Sequence, residues 1–448
     1  MKKTLITAAL LLVIVSGCTV HPDGERQERQ LAEREGNPYH QPADHRALPI
    51  LSADPTPDEL VRYGLLASPE LEQHYWEWRS AIEQVPQDGT EPTNLVVYAG
   101  VPVTRGSTAF NRTTVTVAND PMADIVWPSK LSAAATRALE NARAAGFRFQ
   151  QAKYDLRQRV LDAYYDYALA AELLRLQRAD VELLRTLALV SDAGLESGKS
   201  SQSAALKARD DVELADNEVT AGQARLTELR AALNAVLGRD PAAPLQPPNG
   251  LPEGRALDDS QDELQRLVDE RSPVLAALDA EGRGRGQGKR LAKLEYLSDF
   301  SLSASTDLGG VSQMLMGMVT VPILKYQSIN AAIEQAEANL RTTEAMRRQA
   351  RLDLRSRVVS DVAAVRDGER ELDVLERSAL PHVRQLIDVT RAGYEGGQAS
   401  VGDLVDTERS DVALRRLAAQ IRVSRARQLV DLEDAMATSV TDVQIRRP

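Results

Sequence analysis

The chain contains one short segment twice, as VSDAGLESGKSS at residues 190–201 and as VTRAGYEGGQAS at residues 389–400. Six positions are identical at a constant offset of 199 residues, among them Gly198 with Gly397. Both copies lie between long stretches of helical periodicity. Glycine commonly ends one helix, and serine commonly caps the start of the next. Each copy therefore predicts the tip of an antiparallel helical hairpin, and two such tips predict a duplicated architecture.

The segments beside the tips have a coiled-coil pattern. After the first tip, small and apolar residues recur every seven positions at Ala205, Val212, Val219, Leu226 and Leu233. A hydrophobic period of 3.5 is typical of helices that pack along a narrow seam. Aromatic residues make up only 4% of the chain, which disfavours one large globular core. The sequence therefore predicts long paired helices, including a second long helix over residues 328–391.

Two other segments have the period of strands. Residues 95–118 and 298–321 each contain two alternating runs separated by a turn, with about ten residues to a strand in the first segment, as in a tilted transmembrane β-hairpin. Each half of the chain then reads strand, strand, long helix, tip and helix. Four strands cannot close a transmembrane barrel, so several chains must contribute to one. The predicted fold class is mainly α with a small β part, built as two similar halves.

The predicted organisation has six parts. They are a signal peptide at 1–17, an extended segment at 18–57, a first repeat at 58–240, a Pro-rich connector at 241–258, a second repeat at 259–438 and a polar tail at 439–448. The first repeat contains a β-hairpin at 95–118 and a helical hairpin at 129–238 with its tip at 190–201. The second repeat contains a β-hairpin at 298–321 and a helical hairpin at 328–437 with its tip at 389–402.

The N-terminus resembles the signal of a bacterial lipoprotein. Lys2 and Lys3 precede a short apolar run that ends in Val-Ser-Gly before Cys18, the single cysteine of the chain. Small residues ahead of a cysteine resemble a lipobox, whose cysteine becomes the lipidated N-terminus after cleavage. Thr19 rather than an aspartate follows, which implies sorting to the outer membrane. The alternative is an ordinary signal peptide with a cysteine present by chance.

Several classes of function have little support. The net charge of −11 argues against nucleic-acid binding. The five histidines are scattered and form no zinc pattern, so no metal or cofactor is predicted. The glycines at 282, 284, 286 and 288 superficially suggest a nucleotide loop, but no strand precedes them and basic residues intervene. No convergent set of polar residues indicates an enzyme.

Residues 58–438 resemble the TolC family of outer-membrane efflux proteins, in its lipoprotein branch. The likeness is most specific at the two tips, at VTVPIL over residues 319–324 and at YEGGQASVGDLVDT over residues 394–407. The resemblance implies a homotrimer, with a 12-stranded barrel shared by three chains and a periplasmic α-helical tunnel. It also implies docking of the tips on a periplasmic adaptor that reaches an inner-membrane pump, and passage of the substrate without chemical change.

The resemblance also implies roles for particular residues. Asp403 and Asp406 match the aspartate pair that narrows the periplasmic entrance, and Tyr394 matches a tyrosine that holds the tip closed. The alternative for both acids is ordinary chemistry at a helix N-terminus, where negative charge is favoured. Ala399 and Ala204 stand where a familiar member has Arg and Asp, so the closing contacts must differ. The residues expected to contact the adaptor are Gly194, Gly198, Ser200, Gly393, Gly397 and Ala399.

Two other functions remain open at this stage. A periplasmic adaptor is also a lipidated hairpin protein, but it would carry one hairpin between β-rich halves. A structural coiled-coil lipoprotein would not need four membrane-type strands. The sequence does not identify the exported substrate.

Overall fold

The structure is a computed structural model of the chain. It describes residues 19–52, 54–92, 94–101, 103–104, 107–108, 113–119, 125–198, 201–252, 257, 260–307 and 313–437. The predicted signal peptide, the lipidation site at Cys18, the tip residue Ser200 and the tail at 439–448 lie outside the described residues.

Helices dominate the described residues, and the strands are few and short. The helices are α1 Glu25–Gly36, α2 Pro57–Ala67, α3 Pro69–Gly89, α4 Pro128–Glu196, α5 Gln202–Val236, α6 Gln261–Arg271, α7 Pro273–Leu294, α8 Tyr326–Val374, α9 Leu380–Glu395 and α10 Val401–Ala435. The strands are β1 Leu95–Gly100, β2 Val103–Thr104, β3 Ser107–Thr108, β4 Thr114–Asn119, β5 Asp299–Asp307 and β6 Gln313–Thr320. In the described part of the chain, no helix has both the length and the apolar character needed to cross a membrane.

The chain divides into two compact units, each assembled from separated segments. One unit contains Met1–Asn37, Gln73–Phe149 and Pro273–Ala350, and the other contains Pro38–Glu72, Gln150–Ser272 and Arg351–Pro448. Each unit therefore draws on both sequence repeats.

The strands of both repeats join in one antiparallel sheet in the first unit. The order is β1-β4-β5-β6, so the two predicted strand pairs lie side by side through the contact of β4 with β5. The ten-residue length predicted for the strands at 95–118 stays a prediction, because residues 102, 105–106 and 109–112 lie outside the described residues. β1 and β4 have six residues each, and β2 pairs with β3 as a separate two-residue hairpin.

The core of the first unit also corrects the prediction for residues 18–57. That segment is not extended throughout, since it forms α1 and packs against α3. A Cβ on Gly36 would lie 1.8 Å from the ring of Tyr75, so only glycine permits this approach. The indole N–H of Trp78 donates to Glu28 (2.8 Å), and Arg29 donates to Glu83 (2.6 Å). Packing on an aromatic surface thus orders a segment whose own composition does not predict a core.

The second unit has a valine-rich core between helices. Val358, Val362 and Val365 of α8 pack against Leu264 and Val268 of α6, with Leu432 of α10 completing the cluster. The spacing of these residues by three and four positions is the helical seam that the sequence predicts.

The second long helix covers the predicted residues 328–391, but it contains a π-helical turn that the sequence did not predict. α8 ends at Val374, a π-helical turn covers Leu375–Ala379, and α9 starts at Leu380. Pro381 has no N–H for a helical hydrogen bond, and its ring crowds the preceding turn. The wider turn accommodates that ring, as π-bulges in other helices accommodate one extra residue.

Candidate functional site at the hairpin tips

Each tip turns at a glycine with left-handed backbone. Gly198 has φ of 70° and Gly397 has φ of 72°, a region that costs residues with a Cβ about 1–2 kcal/mol. In the second tip the N–H of Gln398 donates to the carbonyl of Gly393 (2.7 Å), and the N–H of Gly397 donates to that of Tyr394 (3.0 Å). These two bonds form a Schellman motif, which satisfies the last carbonyls of α9.

The helix after each tip starts at the predicted serine cap. Ser201 Oγ accepts from the N–H of Ala204 (3.2 Å), and Ser400 Oγ accepts from the N–H of Asp403 (3.1 Å). The sequence therefore predicted both the stop and the start of the helices at both tips.

The other predicted tip residues lie on different surfaces. Gly194 is half-buried in the last turns of α4, whereas Gly198 and Gly397 are exposed, with open space where a Cβ would be. A Cβ on Gly393 would lie 3.3 Å from the Cβ of Ala399. Ala399 therefore fits its position because the residue opposite is glycine.

Asp403 and Asp406 are both exposed in the first turns of α10, but they are not equivalent. The Asp403 carboxylate accepts hydrogen bonds from the backbone N–H of Ser400 (2.9 Å) and from its hydroxyl (2.8 Å). These hydrogen bonds lower the pKa of the Asp403 carboxyl, with the backbone N–H as the larger cause. Asp403 is thus one half of a capping box, whereas the carboxylate of Asp406 makes no hydrogen bond within the described part of the chain.

Tyr394 lies in the last turn of α9 and is partly exposed. Its hydroxyl donates no hydrogen bond to either aspartate in the part of the chain that the structure describes. The single chain therefore brings Tyr394 and the two acids to the same tip without joining them.

A contact that sequence reasoning missed connects the two hairpins near the tips. Arg409 Nε of α10 lies 3.1 Å from Asp180 Oδ1 of α4, and the Asp180 side chain is mostly buried. Val405 of α10 packs in the same region against Val181 and Leu184 of α4. The residues of the ion pair are 229 positions apart, so no local spacing predicts their contact.

Each hairpin also carries an ion pair across its two helices. Asp192 pairs with Arg209 at 2.9 Å in the first hairpin, and Arg391 pairs with Glu408 at 3.2 Å in the second. The four residues occupy equivalent positions of the repeat, at the offset of 199 residues, but with the charges exchanged. The contact is therefore kept while its polarity is reversed.

Helical hairpins joined to a small antiparallel sheet, with capped polar tips, define the class of outer-membrane channel folds. Solved structures of three membrane proteins are similar to the chain at low identity. A membrane protein from Pseudomonas aeruginosa has a TM-score of 0.72 at 21% identity, covering 87% of this chain and 91% of that one. The outer membrane protein VceC of Vibrio cholerae has a TM-score of 0.72 at 16% identity, covering 86% and 96%. The open state of the MtrE outer membrane channel of Neisseria gonorrhoeae has a TM-score of 0.69 at 17% identity, covering 86% and 89%.

The family profile described as "Outer membrane efflux protein" matches residues 123–239 and 270–438, which is more than half of the chain. The chain therefore belongs to the outer membrane efflux protein family. No curated relative matches it.

The family sets the function in general terms. Its members are outer-membrane channels of tripartite efflux systems with a periplasmic tunnel, and they transport substrates rather than transform them. They form homotrimers and work with adaptor proteins and inner-membrane pumps. The predictions of an efflux channel and of an outer-membrane location are thus confirmed at the level of the family.

Proposed function

We propose that three copies of this chain form one export duct, with a shared 12-stranded barrel in the outer membrane and a helical tunnel in the periplasm. The observation that carries the proposal is the open sheet. β1 and β6 form its two edges, and within the described residues neither edge has a further strand. A membrane cannot satisfy unpaired backbone groups, so the edges of neighbouring chains must pair.

The two faces of the sheet differ in a way that suits this arrangement. One row of register partners runs through Val97, Val117, Ala304 and Leu315, one residue from each of the four strands. This face is apolar, and Val97 and Leu315 are 62% and 67% exposed in the single chain. The other face carries the hydroxyls of Ser301, Ser303 and Thr116 together with the thioethers of Met316 and Met318. An apolar outer face and a polar inner face are typical of transmembrane barrels.

Disulfide cross-linking across the sheet edges tests the assembly. β1 and β6 are three strand spacings apart within one chain, about 14 Å at the usual spacing of strands. A disulfide needs Cβ atoms about 3.5–4.5 Å apart, so a β1–β6 disulfide can form only between chains. Val97→Cys should be combined in turn with Leu315→Cys and with Val319→Cys, which lie on the same face.

The expected product is a covalent trimer on a denaturing gel in at least one of these registers. The matched control is Val97→Cys with Val117→Cys, which are direct partners in one chain and should give only monomers. Covalent dimers that never extend to trimers, or a monomeric mass in detergent for the folded protein, would contradict a barrel shared by three chains.

The lipid anchor is a separate part of the proposal. Cys18 would carry the acyl chains after removal of residues 1–17, and it would hold the N-terminus at the membrane. Labelling with a radioactive fatty acid should be lost in Cys18→Ser. Labelling that persists in that variant would refute lipidation at Cys18 without affecting the proposal of a trimeric barrel.

The two tips would form the surface that contacts a periplasmic adaptor, and through it an inner-membrane pump. The exposure of Gly198 and Gly397 and their polar neighbours support this assignment. Photo-cross-linkers at Leu195 and Gln398, which are exposed beside the two glycines, should capture the adaptor in cells. A cross-linker at exposed Leu352, in the middle of α8, is the control that should not.

The entrance of the duct would be lined by the acids of α10. Three chains would bring three copies each of Asp403 and Asp406 toward one axis, and rings of carboxylates favour cations. Because Asp403 is engaged as a cap, Asp406 would carry most of the selectivity. In planar bilayers, Asp406→Asn should reduce cation selectivity and block by multivalent cations, whereas Asp403→Asn should change them less. Equal cation selectivity in wild type and both variants would mean that Asp403 and Asp406 do not line the entrance and act only at the helix N-terminus.

A further inference from the structure

Three methionines share one face of the edge strand β6. Met314, Met316 and Met318 alternate with Leu315 and Gly317, and their side chains are 58%, 55% and 55% exposed. The chain has seven methionines in all, so almost half of them lie within five residues. Successive members of the row are about 6.7 Å apart along a strand.

The methionine row lies on the hydroxyl-bearing face of the sheet. Met316 is the register partner of Ser303, and Met318 is that of Ser301. The same face includes Thr116 of β4, because Ala118, two residues further along that strand, is the register partner of Ser303. Lipid-facing residues would be expected on the opposite face, which already carries the valines and leucines. In the proposed barrel, exposed thioethers among hydroxyls would therefore lie on the water-filled side.

We propose that Met314, Met316 and Met318 form a thioether site for soft monovalent metal ions, Cu⁺ or Ag⁺, on the inner wall of the duct. The location on the inner wall rests on the proposed function, whereas the site itself rests on the methionine row.

The chemistry of the row selects this class of ion. The thioether is a soft ligand that favours Cu⁺ over the hard cations Mg²⁺ and Ca²⁺. It is also neutral, so it does not offset the greater desolvation cost of a divalent ion. Methionine has three rotatable bonds and adapts its sulfur position readily, so neighbouring side chains of the row can converge on one ion.

The described residues offer no competing site of the usual kind. Among them, no group of three histidine, cysteine, aspartate or glutamate side chains is placed to hold a metal ion. Soft-metal binding that is lost when the three methionines are replaced would therefore report the methionine row, whereas binding by Cys18, the single thiol of the chain, would be unchanged.

Such a site would retain ions only briefly. Conduction requires binding that is strong enough for entry and weak enough for release. Three chains would repeat the row around the wall, which provides several equivalent sites at one level of the duct. Ions would then pass from one methionine to the next along a row without a change of oxidation state.

Titration with Ag⁺ in chloride-free buffer tests the site on the full-length protein in detergent. Wild type should bind about one Ag⁺ per chain, as expected for a single set of soft ligands. The triple change to leucine at positions 314, 316 and 318 preserves apolar volume and removes all three sulfurs. It should weaken binding by at least about tenfold, the low end for a disrupted metal site. Met316→Leu alone removes the central sulfur and should account for the largest single loss.

Met346→Leu is the matched control, because Met346 is equally exposed at 55% but stands alone on α8. It should bind Ag⁺ as wild type does. Unchanged binding in the triple variant, or an equal loss in the control, would overturn the site.

Single-channel recording then separates the site from its location. Ag⁺ should alter the current through wild type and not through the triple variant. Binding that depends on the methionines but leaves the current unchanged would place the row on the outer face and overturn the inner-wall assignment. Failure of the β1–β6 cross-link would instead count against the barrel, independently of Ag⁺ binding.

Discussion

A buried aspartate in the second unit should make the protein less stable at neutral pH than at mildly acidic pH. The side chain of Asp434 on α10 is only 5% exposed, and its Oδ1 has no hydrogen-bond partner among the described residues. Arg357 is its nearest cation, with 3.8 Å between Nη1 and Oδ2. The same guanidinium lies 3.5 Å from Asp431 and 3.9 Å from Asp361, so one cation serves three carboxylates.

Burial raises the pKa of Asp434 to about 6, and the nearby carboxylate of Asp155 adds to the effect. Burial likewise raises the pKa of Asp361 to about 6, with Asp431 contributing. The Asp434 carboxyl thus holds its proton more tightly in the folded state than in the unfolded chain, where its pKa is 3.8. The difference between these two pKa values corresponds to about 3 kcal/mol between the protonation states. This stability is present below pH 3.8 and is lost as pH rises through about 6.

Asp434→Asn replaces the charged form with a neutral side chain of similar shape. Above pH 6.5 the variant should be more stable than wild type, by up to about 3 kcal/mol on the same conversion. Near pH 4 the gain should disappear, because wild type is then protonated at this site. Thermal unfolding of the detergent-solubilised protein, followed by circular dichroism at several pH values, measures the difference.

The matched control is Asp269→Asn. Arg351 and Arg355 both donate to the Asp269 carboxylate and hold its pKa well below the usual range, so neutralising it should lower stability at neutral pH. A gain for Asp434→Asn that is the same at pH 4 and pH 7.5, or a loss at pH 7.5, would refute the argument from burial.

Three further predictions concern the tips and the helices. Gly397→Ala should lower the free energy of unfolding by about 1–2 kcal/mol because Gly397 has a left-handed backbone. Gly286→Ala, inside α7 with open space around it, should raise that free energy by about 0.5–1 kcal/mol. Equal effects of the two substitutions in unfolding experiments would refute this reasoning. Arg409→Gln should raise the leak conductance of the closed duct in bilayers, since it breaks the contact between hairpins; an unchanged closed current would exclude that contact from closure. The double change Asp192→Arg with Arg209→Glu reverses the first tip pair and should restore stability lost in either single variant, as a double-mutant cycle would measure.

The elements with strong local signals were predictable from the sequence. The tip glycines and Ser201 and Ser400 follow from the chemistry of helix ends, which depends on a few adjacent residues. The coiled-coil period likewise indicates long helices, as in α4 over Pro128–Glu196. The assignment to a family of efflux channels needed little beyond these segments.

The remaining features depend on contacts that no local pattern records. α1 forms because Tyr75 and Trp78 provide a surface for a polar segment, a tertiary effect that overrides local composition. The pair of Asp180 with Arg409 depends on how two hairpins pack, and the cap made by Asp403 appears only once its hydrogen bonds are known. The roles of Asp406 and Tyr394 at an entrance stay predictions, because they concern an assembly of several chains.

The exchanged charges at the two tips bear on how a duplicated protein distinguishes its own halves. Two hairpins of common pattern offer each helix a wrong partner of nearly the right shape. Exchanging partners would set Asp192 against Glu408 and Arg209 against Arg391, which is repulsive in both cases. Like-charge contacts are a standard means of rejecting a competing partner. The order of the two charges in this ion pair thus distinguishes each hairpin from the other. Giving one hairpin the polarity of the other requires a change at both residues of its pair, so a single substitution weakens the correct pairing before it permits the wrong one.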